Sequence, residues 1–453
     1  MSHLTHKRVT WKNRWTFMLA TAGSAIGLGN IWKLPYMIGV NGGSAFVMVF
    51  LACILFVGIP LMMTEVLLGR RAQKNPHDGM ENLAKEANAS LSWKYIGGMG
   101  MITGLLILGF YSVIGGWVLS YILFALQDTF LNIDGAHAQA NFNALLASPL
   151  TLIFWHTTFM ILTMGVVANG VNQGLERANN ILIPALFVIL LILLGYSMAV
   201  GDFTASRHFM FTLDFSKITP IAVLSALGHA FFSLSLGMGA VMVYGSYLQR
   251  DVSIARTTIY IALADTALGL LVGLAIYSLV FANHLEPAAG PGLIFQTLPI
   301  AFGHMPGGHI IGVLFFLLVA FAAWTSAISL VEPAIAWIIE NTHISRLQSA
   351  LMIGLAVWLL GVAVVLSFND WSDIKIIFGL NIFETLDKLT STILLPLGGI
   401  LMALFAGFIM KKEHVQEELG LHDIGYKCWR IANNILAPIA IMAVFFYLFG
   451  IIK

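Results

Sequence analysis

The sequence predicts an all-α polytopic membrane protein of about eleven transmembrane helices, and three observations predict it. Charged residues are 10% of the 453-residue chain, against about a quarter in soluble domains. Hydrophobic residues reach 58%, with a mean hydropathy of +0.87. The apolar residues also fall into long charge-free runs, and roughly 20 helical residues cross the ~30 Å hydrocarbon core of a bilayer. A soluble globule of this size could not cover so much apolar surface, so composition excludes a cytosolic enzyme, a disordered scaffold and a secreted disulfide protein. The two cysteines, Cys53 and Cys428, lie within or beside apolar segments and read as reduced, buried thiols. A net charge of +1 gives no reason to expect nucleic acid as a partner. The lipid bilayer is the partner that composition implies.

Lys7, Arg8, Lys12 and Arg14 precede the first apolar run. No small-residue cleavage site followed by a polar mature domain comes after it, so the run reads as a first span and not a signal peptide. Charge-free windows then cover 15–32, 34–64, 95–127, 135–175, 178–201, 218–249, 266–285, 287–331, 347–369, 389–410 and 431–452. Cutting at the turn signals Asn41-Gly42-Gly43 and Pro306-Gly307-Gly308, and letting helices run past isolated charges, gives about eleven helices. With the N-terminus inside, the inner loops receive most of the 23 basic residues, while Arg207, Lys217, Lys375 and Lys453 fall outside. That bias predicts a cytoplasmic N-terminus and, with an odd number of spans, an extracellular C-terminus.

The expected organisation is a cytoplasmic tail (1–12), a first repeat of helices 1–5 (13–201) and an extracellular loop (202–219). A second repeat of helices 6–10 (220–410), a cytoplasmic loop (411–428) and helix 11 with a short extracellular tail (429–453) follow. The apolar outer stretches 135–149 and 285–306 predict packed caps instead of free linkers.

An ionisable group inside a span is costly enough to suggest function. Lys33, Glu65, Asp265, Glu332, Glu340, Asp387 and Lys388 are such groups. The first helix carries Gly23, Gly27 and Gly29 at mid-depth, and the sixth carries Gly237 and Gly239. Each glycine weakens a helix by about 1 kcal/mol relative to alanine. Gly23 and Gly27 alone also satisfy a GxxxG packing face, but the second run lacks that spacing. A matched pair of weak points, one helix running outward and the other inward, predicts a binding site of two discontinuous helices in inverted repeats. Freed carbonyls there suit hard cations, and freed N–H groups suit a carboxylate.

The motifs AGSAIGLGNIWKLPY, NGGSAF, VGIPLMMTEVLLGR, FSLSLGMGAVMVYGSY and AAWTSAISLVEP occur in that order. Over about residues 8–410 the chain resembles the neurotransmitter:sodium symporter family, of the bacterial leucine-transporter-like, eleven-span type. The resemblance implies two sodium ions and no organic cofactor. A first ion would be held by the Ala25 carbonyl, Asn30, Ser233, Asp265 and the substrate carboxylate. A second would use the carbonyls of Gly23, Ile26 and Ala322 with the hydroxyls of Thr325 and Ser326. The substrate amine would meet carbonyls near Ala25 and Phe232 and the Ser235 hydroxyl, and its carboxylate the Leu28 and Gly29 amides and Tyr111. The side-chain pocket would be Ile107, Phe232, Met238, Ser326 and Leu330, which suits a neutral, hydrophobic side chain. Amine-selective relatives carry aspartate where this chain has Gly27, which points to an α-amino acid that brings its own carboxylate.

The same resemblance implies an outer gate of Lys33 with Asp387, where the family usually has arginine. It implies an inner gate of Arg8 with Glu340, supported by Trp11 and Tyr247. Gly174 and Pro184 resemble a pattern through which some bacterial members unwind the fifth helix and let water reach the second sodium. Asp265 stands where the family commonly has asparagine, with chloride nearby in chloride-dependent members. A fixed carboxylate there offsets part of the double positive charge, so chloride independence follows. The empty carboxylate could take a proton for the return step, making proton antiport a corollary. The expected function is sodium-coupled import of neutral, hydrophobic L-amino acids by alternating access, in a bacterial inner (plasma) membrane. Another small zwitterion or an amine is the alternative substrate, and an ion channel the alternative of a different class. No HExxH or GxSxG motif suggests an enzyme.

Overall fold

The computed structural model describes residues 10–12, 14–287, 290–377 and 379–448. Nine continuous helices among them are long and apolar enough to cross a membrane. Two interrupted ones complete the predicted eleven. In chain order they are α1 (Arg14–Ala25 continuing at Gly29–Lys33 and Leu34–Val40), α2 (Ser44–Ala72), α3 (Leu91–Leu126), α4 (Pro149–Ala168) and α5 (Val171–Val200). These are followed by α6 (Pro220–Ser233, then Ala240–Gly245), α7 (Ile254–Ala282), α8 (Gly308–Asn341), α9 (Arg346–Leu366), α10 (Ile382–Ile409) and α11 (Asp423–Phe446).

The two breaks fall at the glycine runs. In α1 the helix opens at Ile26 and Gly27. In α6 the chain leaves the helix after Ser233, and Ser235, Gly237 and Gly239 all take positive φ (55°, 80° and 76°). A Cβ on Gly237 would lie 2.3 Å from the Leu395 carbonyl, so only glycine permits α10 to pass there. The buried Glu65 of α2 accepts the Gly237 N–H at 2.6 Å. This answers one backbone group that the break leaves without a helical partner, as the apolar medium requires.

Wide π-helical turns recur, and four have one cause. The turns at Gly29–Lys33, Ile54–Gly58, Leu389–Leu394 and Ala432–Leu436 are each followed two residues later by a proline, Pro35, Pro60, Pro396 and Pro438. Proline lacks an N–H and its ring collides with the carbonyl four residues back. Widening the turn before it relieves the collision without ending the helix.

The outer stretches pack as caps, as predicted. They hold helices Gly135–Leu146 and Thr297–His304. Phe142 and Phe295 of these stretches cluster on Trp117 of α3, and Tyr121 donates to the Phe295 carbonyl at 2.8 Å. Two expected loops are more ordered than predicted: 202–219 contains Phe203–Phe211, and 411–428 contains Lys412–Leu419 and the first turn of α11. Cys53 and Cys428 are free thiols, but Cys53 is only half-buried and Cys428 is exposed, contrary to the expectation of burial.

Helix α11 is held by polar contacts. Asn433 accepts from Thr64 of α2 at 2.6 Å and donates to the Ala403 carbonyl of α10 at 3.0 Å, while Asn434 donates to Gly407. Asn433→Leu is therefore expected to lower stability by about 1 kcal/mol, the upper range for hydrogen bonds between membrane helices. SDS titration should show that adding Thr64→Val costs little more, and full additivity would show that the pair does not interact.

Candidate functional site

The opening of α1 frees carbonyls that a regular helix would use. Gly23 and Ser24 would there accept from Gly27 and Leu28, but the Leu28 N–H goes instead to the Tyr111 hydroxyl of α3 at 2.9 Å. The Ser326 hydroxyl of α8 faces the freed oxygens, 3.2 Å from the Gly23 carbonyl, 3.1 Å from Ser24 and 3.2 Å from Ile26. One hydroxyl has one proton to give, so carbonyl lone pairs converge on this point in excess. Thr325 is bonded to the Ala322 carbonyl at 3.1 Å on the same helix. Apart from the Ser24 carbonyl, these are the oxygens expected around the second sodium. All-oxygen ligation of this kind fits a hard cation.

A second polar cluster joins α1, α6 and α7. Asn30 donates to the Asp265 carboxylate at 2.8 Å and to its carbonyl at 3.0 Å. Ser233, at the end of the first half of α6, donates to the other carboxylate oxygen at 2.6 Å and lies 3.4 Å from Asn30 Oδ1. All three side chains are fully buried, and Ala25 is buried with them. Because the Asn30 amide nitrogen is committed to Asp265, its oxygen is turned away from that carboxylate, free to accept.

Between the clusters lies a cavity of about 20 Å3, lined by Ala25, Gly29, Ile107, Tyr111, Phe232, Ser235, Met238, Ser326 and Leu330 among others. Nine of the eleven residues expected to touch substrate therefore meet here. The other two point elsewhere in this closed arrangement: Leu28 gives its N–H to Tyr111, and Ser233 turns to Asp265. Ser24 and Gly27 also line the cavity. Ser24 was not expected, and its carbonyl accepts from Ser235 at 2.9 Å. A volume of this order holds one water and not an amino acid, so an amino acid could enter it only if the helices parted.

The two residues expected at the outer gate are paired. Lys33 Nζ lies 3.0 Å from Asp387 Oδ1 and 4.9 Å from the centre of the Phe232 ring that roofs the cavity. On the opposite side, Arg8 lies outside the described residues. Glu340 accepts from the backbone and side chain of Asn75 at 3.0 and 2.8 Å. Trp11 is buried, donating to the Tyr244 carbonyl from its ring and to the Tyr247 carbonyl from its backbone, both at 3.1 Å. Tyr247 donates to Glu332 at 3.0 Å, and Arg346 of α9 forks onto the same carboxylate. Sequence reasoning missed Asn75 and Arg346 as partners. The Asn-Pro-x-Asp string announces a helix N-cap, and Asn75 does accept from the Asp78 N–H, but nothing local reveals its reach to Glu340. Asp78 completes the clamp: burial raises its carboxyl, yet bonds from His77, Asn75 and Asn341 outweigh burial and hold it below the usual value. Asp78's share of the clamp is therefore lost as pH falls through that lowered value.

The model of the sodium:neurotransmitter symporter family matches residues 8–144 and 146–453. The chain belongs to this family. It is 36% identical to an uncharacterized sodium-dependent transporter, YhdH, of Bacillus subtilis, with 99% of each chain covered. A crystal structure of MhsT in complex with L-phenylalanine is 40% identical and superposes with a TM-score of 0.90, covering 97% of this chain and 99% of that one. The mouse sodium-dependent neutral amino acid transporter B(0)AT3 is 24% identical, over 68% of this chain and 64% of that protein. The protein is thus a sodium-dependent membrane transporter with the leucine-transporter-like fold, and not an enzyme.

Gly27 is a steric requirement of this site. A methyl there would lie 2.4 Å from Ser326 Oγ and 2.6 Å from the Tyr111 hydroxyl. Overpacking costs about 1–3 kcal/mol, so Gly27→Ala is expected to weaken sodium-dependent substrate binding about tenfold or more. Gly165→Ala, where nothing lies within 4 Å of the new methyl, should leave binding unchanged. Equal behaviour of the two variants in a binding assay would show that Gly27 does not border the site.

Proposed function

We propose that the protein is a symporter that uses two sodium ions to import neutral, hydrophobic L-amino acids by alternating access across a bacterial inner membrane. In this reading its basic face lies in the cytoplasm, with the N-terminus inside and the C-terminus outside. The repeats span 13–201 and 220–410. The observation that carries the reading is the meeting of two buried oxygen clusters with an apolar cavity at the breaks of α1 and α6.

Asn30, Ser233, Asp265 and the Ala25 carbonyl would hold the first ion together with the substrate carboxylate. Gly23, Ile26, Ala322, Thr325 and Ser326 would hold the second. The substrate carboxylate would take over the Leu28 N–H that Tyr111 now accepts, and its amine would face carbonyls near Ala25 and Phe232 and the Ser235 hydroxyl. Ile107, Phe232, Met238 and Leu330 supply an apolar lining without a formal charge, which favours a neutral, hydrophobic side chain. The relative solved with L-phenylalanine supports the same class. The absence of a carboxylate at Gly27 disfavours an amine as substrate. Lys33 with Asp387 would close the outer side, and Trp11, Tyr247, Glu340 and Arg8 the inner.

Asp265 supports a finer reading. Its carboxylate, fully buried and held by Asn30 and Ser233, supplies the negative charge that two desolvated cations need. Chloride then becomes dispensable. After the cations leave, the same carboxylate is the natural proton acceptor for the return step, giving proton antiport.

Sodium-jump uptake in proteoliposomes, with a competition screen over the amino acids, tests the reading. Asn30→Ala and Thr325→Ala should each raise the sodium concentration needed for binding, and unchanged sodium dependence would reject the corresponding site. Uptake should persist when gluconate replaces chloride. Asp265→Asn should become chloride-stimulated or inactive and lose its response to internal pH, whereas a wild-type requirement for chloride would overturn the role given to Asp265. Met238→Phe should exclude large substrates first, since it overfills the pocket by about 1–3 kcal/mol. Equal loss for small and aromatic amino acids would remove Met238 from the lining.

A further inference from the structure

At the cytoplasmic end of α5, a cavity of about 520 Å3 is lined by Lys12, Asn172, Glu176 and Arg177 among others. The chain enters α5 through Gly170 at φ 89° and a wide turn, Val171–Glu176. On this helix Asn172, Glu176 and Asn179 follow at spacings of four and three, the interval that places side chains on one face. Asn172 Oδ1, Glu176 Oε2 and Asn179 Oδ1 are all buried oxygens without a hydrogen-bond partner. Glu176 is 3% exposed and Asn179 1%. A buried acceptor left unpaired is unfavourable, and three on one helix face call for a ligand that is all donor or all positive charge.

The orientations are fixed by the bonds that are made. Asn179 commits its amide nitrogen to the Leu175 carbonyl at 2.9 Å, which leaves its oxygen against α1. There it faces Gly23, where a methyl would come within 2.4 Å of it. The Gly23 carbonyl is one of the oxygens around Ser326. At the other end Glu176 Oε1 is bonded by Thr16 at 3.4 Å and approached by Lys12 at 3.6 Å, while Oε2 stays bare. Lys12 and Arg177 are exposed, so water and salt screen their charges, whereas the buried carboxylate is screened far less.

We propose that Glu176 is a transient sodium site, with Asn179 and Asn172 as the steps before and after it, through which the ion of the second site passes to the cytoplasm. Lys12 is the latch on its solvent side. This rests on the reading of the second sodium site given above. Oxygen ligands of one carboxylate and two amides suit a hard cation that must be held briefly and released. The site would take sodium from Gly23 as α1 and α5 separate and pass it to the open cavity.

The full-length protein would be tested by equilibrium binding of radioactive sodium and by the rate of sodium release into a sodium-free lumen. Glu176→Gln and Asn179→Leu should each keep sodium affinity within about twofold of wild type yet slow release about tenfold, the effect of losing one favourable cation contact. Glu176→Asp should restore most of the rate, and Lys12→Gln should release as fast as wild type or faster. If Glu176→Gln accelerates release as Lys12→Gln does, the carboxylate is only the partner of the latch and the proposal falls. It falls equally if release is unchanged, or if affinity drops in parallel with rate. Should Glu176→Gln not fold, Asn179→Leu and Glu176→Asp carry the same comparison. Thr325→Ala separates the two readings. Unchanged sodium affinity in that variant rejects the second site itself, whereas weakened affinity beside an unaltered release rate in Glu176→Gln rejects the transient site alone.

Discussion

The structure depends on one constraint: a backbone opened in an apolar medium must find partners for every group it frees. Water is not there to supply them, and each unmet group costs several kcal/mol. At the α1 break the Leu28 N–H finds Tyr111, and at the α6 break the Gly237 N–H finds Glu65. Those donors are answered by side chains. The carbonyls are answered only in part, by Ser326 and Ser235, each a single hydroxyl. The asymmetry between donors satisfied and acceptors in surplus is what makes the centre of the molecule attractive to cations. In the proposed sites, ion binding would follow from how the helices break, with the carboxylate of Asp265 held beside the opened backbone by Asn30 and Ser233.

The remaining helices make those breaks tolerable. Proline-induced wide turns let α1, α2, α10 and α11 bend without losing their hydrogen-bonded course. Polar side chains then tie the bent elements together, as Asn433 does between α2 and α10. A second set of ties closes the two faces, with Lys33 and Asp387 on one and Asn75, Glu340, Glu332 and Arg346 on the other. The outer face has one charged pair of a lysine, which cannot make the two-pronged contact of an arginine. The inner face has a forked arginine and a fully buried glutamate. On that comparison the Lys33–Asp387 tie is the weaker of the two.

Much of this was legible in the sequence, for physical reasons. Glycines clustered at mid-span identify helix breaks because they weaken helices wherever they stand, and both breaks fell at them. Asn30, Ser233 and Asp265 were readable as a group through the family motifs, and the structure brings them within hydrogen-bonding distance. What local sequence could not carry was partnership across the fold. Tyr247 reaches Glu332, and Asn75 reaches Glu340, through tertiary packing alone. The short helix Lys412–Leu419 lacks an apolar run, so hydropathy treated it as loop. Glu176 and Asn179 looked like ordinary polar residues near a helix start. Only their burial with an oxygen unpaired distinguishes them.

The Lys33–Asp387 pair and the cavity share a residue, which would link closure to occupancy in the proposed transport cycle. Phe232 roofs the cavity, and the Lys33 ammonium lies over its ring while paired with Asp387. A cation gains about 0.5–1 kcal/mol from an aromatic face at exposed sites and more where water is excluded. The ring can give that stabilisation only while it stands under Lys33, and its position is set from below by what lies against Met238, Ile107 and Leu330. If the pair acts as the proposed gate, anything that holds the ring there strengthens it, and by linkage the closed pair holds the contents of the cavity more tightly. The proposed gate would then need no separate sensor, because the side chain that lines the cavity is also a partner of the lysine paired with Asp387.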